Sequence, residues 1–291
     1  MRLSPFAFGT LLTGLGVLIL SPDAALIRLV DMEPFGLVFW RGIATFFVML
    51  LALSIARRSQ TWRQLRLAVS GTGLVIAALF SMSTAGFVLG AERGDPAFTV
   101  VAVAAAPLFA ALFSWLIFRE RADRITIGAI ALGFIGVSLG AFEVLGTPHT
   151  HWEGFAGAAL VPIAIGLSFT LTRYLPKDQN IWAIYVIAGL FTMALATGFN
   201  ADLRVPEGKL MYFLPLVIFV GPVAFLLISI GPRYISAAQT SLMLLLETAL
   251  SPIWVYIAVQ LAPGPLTLIG GGILIMTLIG QTLLHLRSKN L

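Results

Sequence analysis

The chain contains no cysteine. Disulfides, thiolate chemistry and cysteine-ligated metals are therefore excluded. Charge is almost as scarce: Asp, Glu, Lys and Arg make up 11% of the 291 residues, against about 25% in an ordinary soluble domain. The sequence lacks a Gly-x-x-x-x-Gly-Lys phosphate loop, and no Ser/His/Asp or paired-carboxylate arrangement can be read from it. Gly14-Leu15-Gly16 has no strand-and-turn context for a nucleotide, and His149-x-His151 has no third ligand nearby for a metal. No cofactor and no catalytic residue are expected. What is there is apolar: 59% of residues are hydrophobic, and mean hydropathy is +0.98. A water-soluble protein of this length cannot hide that much apolar surface. The composition points to an all-α polytopic membrane protein.

A helix needs about 20 apolar residues to cross the hydrocarbon core. Ten such runs are expected: Pro5–Leu29, Pro34–Ala56, Leu67–Gly90, Pro96–Phe118, Ile125–Leu145, Gly154–Tyr174, Ile181–Asn200, Met211–Gly231, Ile235–Val259 and Pro265–Leu286. The runs are continuous rather than alternating, which favours helices over a barrel. Asp23-Ala24-Ala25 loosely mimics a signal cleavage site, but the weakly basic start, Arg2 alone, favours a retained first span. The formal net charge of +5 reflects basic residues between the spans, so topology explains it better than nucleic acid does. Thirteen of the 18 Lys and Arg fall on one side, from Arg2 through Arg57, Arg63 and Arg119 to Lys289. Four fall on the other: Arg28, Arg93, Arg204 and Lys209. The richer side is expected to be cytoplasmic, with both termini there.

Ten spans divide as five plus five, residues 1–145 and 154–291. An odd half reverses orientation when copied, giving an inverted-topology repeat. Faint matches accompany this, such as Gly9 with Gly154, Arg28 with Arg173 and Pro107 with Pro252. Mid-span prolines free a carbonyl and permit a bend. Pro107 and Pro252 are the expected hinges.

Ionisable groups inside spans cost roughly 2.5–3.5 kcal/mol each at a helix centre and mark pathways by default. Two are expected there, Arg41 and Glu247. Arg41 either contacts solute or snorkels to the headgroups. Glu247 either lines a cavity, holding an amine or a proton, or bonds to a neighbouring span. Gln239, Met243 and Glu247 are spaced by four and share a helix face. Ser81, Ser83 and Thr84 add hydroxyls on the third span. Glycines at 14, 16, 71, 73, 128, 133 and 136 allow close backbone approach. Trp115 and Trp254 lie deep enough either to stack on an aromatic solute or to pack.

These residues together resemble the drug/metabolite transporter superfamily, in its EamA-type ten-helix branch. Arg41 matches that family's second-span arginine. Pro107-Leu108-Phe109-Ala110-Ala111-Leu112-Phe113-Ser114-Trp115, followed by Glu120, resembles its fourth span. Gly128 through Gly140 resembles the fifth. Leu246-Glu247-Thr248, followed by Pro252-Ile253-Trp254-Val255, resembles the ninth. Leu261-Ala262 departs from the usual Gly-Glu there, so the symmetry with Glu120 is broken. The resemblance implies an EamA/DMT fold with cytoplasmic termini, and a cavity lined chiefly by spans one, three, four, six, eight and nine. Carried over residue by residue, it gives Gly14, Ser81, Thr84, Phe98, Ser168, Gln239, Met243 and Glu247 as cavity residues. Within the branch the chain is most similar to bacterial aromatic amino-acid exporters.

The expected function is a secondary transporter in the bacterial inner membrane that exports amino acids, aromatic ones foremost, by alternating access. Its partners are then a small-molecule substrate and membrane lipid. Neither nucleic acid nor an obligate protein partner is expected. Other small metabolites or lipophilic cations, such as drugs, purines or sugars, are the alternative. An intramembrane enzyme or lipid-handling protein is the remote one, given so few intramembrane ionisable groups.

Overall fold

The computed structural model describes residues 5–57, 59–119, 124–145, 151–172, 175–176, 178–199, 201–230, 234 and 237–289. Among these, all regular structure is helical. The helices are α1 (Pro5–Leu20), α2 (Asp23–Val30), α3 (Pro34–Ala56), α4 (Thr61–Ala68), α5 (Gly71–Arg93), α6 (Pro96–Val103) and α7 (Ala106–Phe118). They continue with α8 (Arg124–Leu145), α9 (Trp152–Thr172), α10 (Ile181–Thr197), α11 (Leu210–Leu214), a π-helical segment (Pro215–Val223), α12 (Ala224–Ile230), α13 (Ala237–Val259) and α14 (Pro265–Lys289).

Local chemistry sets the helix starts. Pro34, Pro96 and Pro265 open α3, α6 and α14, where a missing N–H costs nothing. The side chains of Glu33, Ser70 and Asp95 accept from Gly36, Gly73 and Phe98 N–H groups at 2.7, 3.2 and 2.7 Å. α14 borrows its cap from another helix. The Glu143 carboxylate, near the end of α8, accepts from the Leu266 and Thr267 N–H groups at 3.1 and 2.8 Å.

Among the described residues, five stretches are long and apolar enough to cross a membrane: Ala7–Val30, Pro34–Ala56, Gly71–Arg93, Trp152–Thr172 and Leu210–Ile230. A sixth arises if α6 and α7, bent by 41°, form one span. Four further apolar helices, Ile127–Glu143, Ile181–Thr197, Leu246–Val259 and Pro265–Thr277, are shorter.

Three of the expected continuous spans are interrupted. The first breaks at Ser21-Pro22, between α1 and α2. The fourth bends at Ala104-Ala105, just before Pro107. The eighth widens into the π segment between Pro215 and Val223, with Pro222 inside it. Each interruption carries a proline, whose ring and missing N–H break the local ladder. α13 runs through Pro252 without a break, so the two expected hinge prolines occupy different local structures.

The halves pack on each other through small residues. α3 crosses α10 where Gly42 meets Gly189, α5 crosses α9 where Gly86 meets Gly157, and α8 crosses α14 where Gly136 meets Gly270. A Cβ on Gly42 would sit 2.9 Å from the Gly189 carbonyl oxygen, and one on Gly189 would sit 2.8 Å from the Gly42 carbonyl oxygen. α1 crosses α12 where Gly16 faces the Ala224 carbonyl. Close backbone approach maximises dispersion contact where lipid removes the hydrophobic drive between helices. Gly133 and Gly136 serve this role as expected, whereas Gly14, Gly71 and Gly128 face open space.

Polar contacts gather at both ends of the bundle. At one end Arg28 donates to the Gly94 carbonyl at 2.5 Å, Lys209 donates to the Leu29 carbonyl at 2.7 Å, and Arg93 pairs with Glu153. Arg63 pairs with Asp178 elsewhere, and Gln64 bonds the Asp178 carbonyl and the Asn180 N–H.

Gly189→Ala is expected to lower stability by about 1–3 kcal/mol through backbone overlap. Gly128→Ala should change it by less than about 0.5 kcal/mol. Thermal unfolding of the two purified variants in one detergent distinguishes them, and equal midpoints would contradict the crossing described.

Candidate functional site

The interrupted helices surround a cavity of about 120 Å³, many times the roughly 10–15 Å³ that one water needs on this measure. Its wall contains Leu20 and Asp23, which flank the break after α1, the bend between α6 and α7, and Phe225 of α12, just past the π segment. Irregular backbone at membrane depth is tolerated where it lines such a chamber.

Among the described residues, three acidic or basic side chains line the cavity, not the two expected within spans. Arg41 and Glu247 are joined by Asp23. Asp23 opens α2, immediately after the Ser21-Pro22 break, and lies inside the apolar stretch Ala7–Val30. Arg41 donates from Nη1 to Asp23 Oδ1 at 2.7 Å and from Nη2 to Oδ2 at 2.8 Å. Only 6% of Arg41 and 3% of Asp23 is exposed. Such a fork-to-fork pair satisfies both carboxylate oxygens and fixes the guanidinium plane. Arg41 is therefore turned inward on a carboxylate, which replaces the snorkelling alternative.

Glu247, on α13, is 7% exposed. Its carboxyl shares the cavity wall with Asp23. Among the described residues no hydrogen bond or ion pair reaches it. Hydroxyls from Ser83, Thr84, Ser168 and Thr248 share the wall. Aromatic rings close another side: Phe80 packs on Tyr185 at 4.7 Å and on Phe225 at 5.4 Å between ring centroids. A second void of about 10 Å³, room for about one water, lies behind Arg41 against Thr45, Gly221 and Pro222.

Of the residues singled out from the sequence, Arg41, Ser83, Thr84, Pro107, Ser168 and Glu247 line the cavity. Ser81 instead donates to the Ala188 carbonyl at 2.9 Å and bonds Thr192 at 2.8 Å, tying α5 to α10. Phe98 is 1% exposed and stacks on Phe155 at 5.8 Å in the core of α6 and α9. Gly14 and Pro252 are outside the lining. The side chains of Gln239 and Met243 lie outside the described residues, as do His149 and Glu120. Trp254 donates to Ser21 Oγ at 3.0 Å, and Trp115 is half exposed. The rings facing the cavity are Phe and Tyr.

The lining draws on all six spans expected of it and adds two. Arg41 brings in the second and Tyr185 the seventh. Asp23 carried a readable signal, an acid after Ser-Pro inside an apolar run. Phe80, Tyr185 and Phe225 carried none, because a ring facing a cavity and a ring facing lipid read alike.

A bundle of apolar helices around a chamber with buried charges is the arrangement of a solute pathway. Residues 7–141 match the EamA-like transporter family. The match indicates a membrane transporter of small substrates. A solved crystal structure shares the fold, with a TM-score of 0.64, 17% identity, and coverage of 95% of this chain and 96% of that one. That coverage extends the fold likeness into the second half, beyond the EamA match. No curated protein matches the chain.

Removing Asp23 strands a cation that cannot shed its proton. Asp23→Leu is expected to cost about 3–5 kcal/mol, and the double variant Asp23→Leu/Arg41→Leu to recover most of it. A double-mutant cycle on thermal midpoints measures this. Additive losses would mean the pair is not coupled.

Proposed function

We propose that this protein is a secondary transporter of the bacterial inner membrane that exports small solutes bearing an ammonium group on an apolar body. Aromatic amino acids and the organic amines that share their side chains are the proposed substrate class. The observation that carries the reading is Glu247, a buried carboxyl without a partner among the described residues, set in a cavity walled by rings and hydroxyls. The ammonium pairs with Glu247, the side chain lies against Phe80, Tyr185 and Phe225, and the hydroxyls take the remaining polar atoms. No step in this cycle requires covalent chemistry, so we propose a carrier and not an enzyme.

The proposed movement is alternating access between two five-helix halves, residues 1–145 and 154–291. Ten crossings follow if the four shorter apolar helices also span. Support for the inverted repeat comes from reciprocity in the packing. Exchanging each span for the one five further on maps α5 on α9 to α12 on α1, and α7 on α9 to α13 on α1. The crossings of α3 with α10 and of α8 with α14 map onto themselves. The excess of basic residues on one side supports cytoplasmic termini.

Lipophilic cations are the second reading. The observation favouring them is that the cavity's one arginine is already paired with Asp23.

Proteoliposomes holding the purified protein are expected to show flux of aromatic amino acids or apolar amines above empty vesicles. Glu247→Gln should weaken competition by any ammonium-bearing solute about tenfold or more, as a lost charge-assisted bond would. Unchanged competition by Glu247→Gln would remove this residue from the site.

A further inference from the structure

We infer that Asp23 sets the charge selectivity of the cavity by withholding Arg41 from solute carboxylates, so that the site favours an organic amine over the amino acid with the same side chain. The inference rests on the cavity being the substrate site, as proposed above. It concerns the one charged group there that neither the sequence motifs nor the EamA match assigns.

An arginine in a transport cavity would ordinarily be the receptor for a carboxylate, because its fork matches both oxygens. Here that fork is filled. Both Nη atoms are engaged, at 2.7 and 2.8 Å, by the two oxygens of a single carboxylate. The partner is part of the protein and even more buried than the arginine. For a solute carboxylate to take its place, Asp23 must be expelled from the guanidinium into a largely apolar wall that it shares with Glu247. Nothing on the described wall stands ready to receive Asp23. Its charge and that of Arg41 cancel, and the group left to act on a solute is the Glu247 carboxyl.

An amine satisfies that group and brings no second charge. An amino acid satisfies it equally but adds a carboxylate, which finds hydroxyls and no free cation. The added carboxylate loses its water without gaining a charged partner. Removing the negative charge at position 23 reverses the balance. Asn keeps an oxygen that can accept from one Nη, and it leaves the other Nη free. The void of about 10 Å³ against Gly221 gives the guanidinium room to turn. A Cβ at Gly221 would sit 3.3 Å from Arg41 Nη2, so the absent side chain is part of that room.

The test measures inhibition constants for phenylethylamine and phenylalanine, each against flux of a labelled amine in proteoliposomes. Wild type is expected to bind the amine more tightly. Asp23→Asn is expected to shift the ratio of the two constants toward the amino acid by about tenfold or more, the worth of one charged hydrogen bond. Asp23→Leu/Arg41→Leu, with neither charge, should keep the wild-type preference. A purely structural Asp23 would lower the yield of folded protein in the single variant without moving the ratio.

An unchanged ratio in an Asp23→Asn variant that still transports would overturn the inference and leave the substrate site standing. So would a wild type that prefers phenylalanine, a result that does not depend on any variant folding. A wild type showing neither flux nor competition with any ammonium-bearing solute would overturn the site reading, and this inference with it.

Discussion

The bond between Arg41 and Asp23 constrains the middle of the molecule more than any other contact. A guanidinium buried in an apolar bundle keeps its charge, so a carboxylate must come to it. That carboxylate stands at the start of α2, and it can stand there because the first span is interrupted at Ser21-Pro22. A continuous helix would carry the turn past the arginine. The break thus serves the pair, and the pair fixes the break. The rest of the wall follows the same logic, with the bend before Pro107 bordering the chamber and the π segment bordering the small void behind Arg41. Backbone that has lost its regular ladder sits where polar groups can still be satisfied.

Around this centre, the helices of the two halves meet at close glycine crossings and through shared apolar clusters, such as Met49, Leu53 and Ile76 with Trp182 and Ile184. Gly42 on Gly189, Gly86 on Gly157 and Gly136 on Gly270 are backbone-to-backbone crossings. Polar bonds also join the halves, such as Ser81 to the Ala188 carbonyl and Thr170 to the Ala110 carbonyl, and bonds of this type average about 0.6 kcal/mol in membranes. The ionic contacts at the bundle ends, Arg93 with Glu153 and Arg63 with Asp178, join helices of opposite halves. They hold the halves together where water can compensate a broken pair.

Much of the architecture could be read before any coordinates, because lipid leaves a chain few options. Apolar runs of membrane length declared the helices, and the helix boundaries agree with the runs to within a few residues for α3, α6 with α7, and α13. Arg41 and Glu247 stood out because charge inside such a run is rare. Asp23 escaped because it sits in the outer third of its run, beside a proline, and resembled a loop acid. Phe98 was assigned to the cavity by likeness, whereas it is wedged between Gly140 and Phe155 in the core. Gly14 was offered as a contact point and instead faces open space. A helix pattern gives the face a residue occupies, but not whether that face meets lipid, a neighbour or a chamber.

The sequence by itself determined the solvent this protein lives in, its all-helical class, and the identity of two of its buried charges. These are local properties, decided by the cost of placing a residue or its backbone in hydrocarbon. Which charges meet, which rings face a solute, and where the helices break were decided only in three dimensions. Asp23 and Arg41 are 18 residues apart on different helices, and Phe80, Tyr185 and Phe225 come from three others. Their meeting depends on rotation and tilt set by backbone crossings at glycine, a property of the packed bundle that no single segment carries.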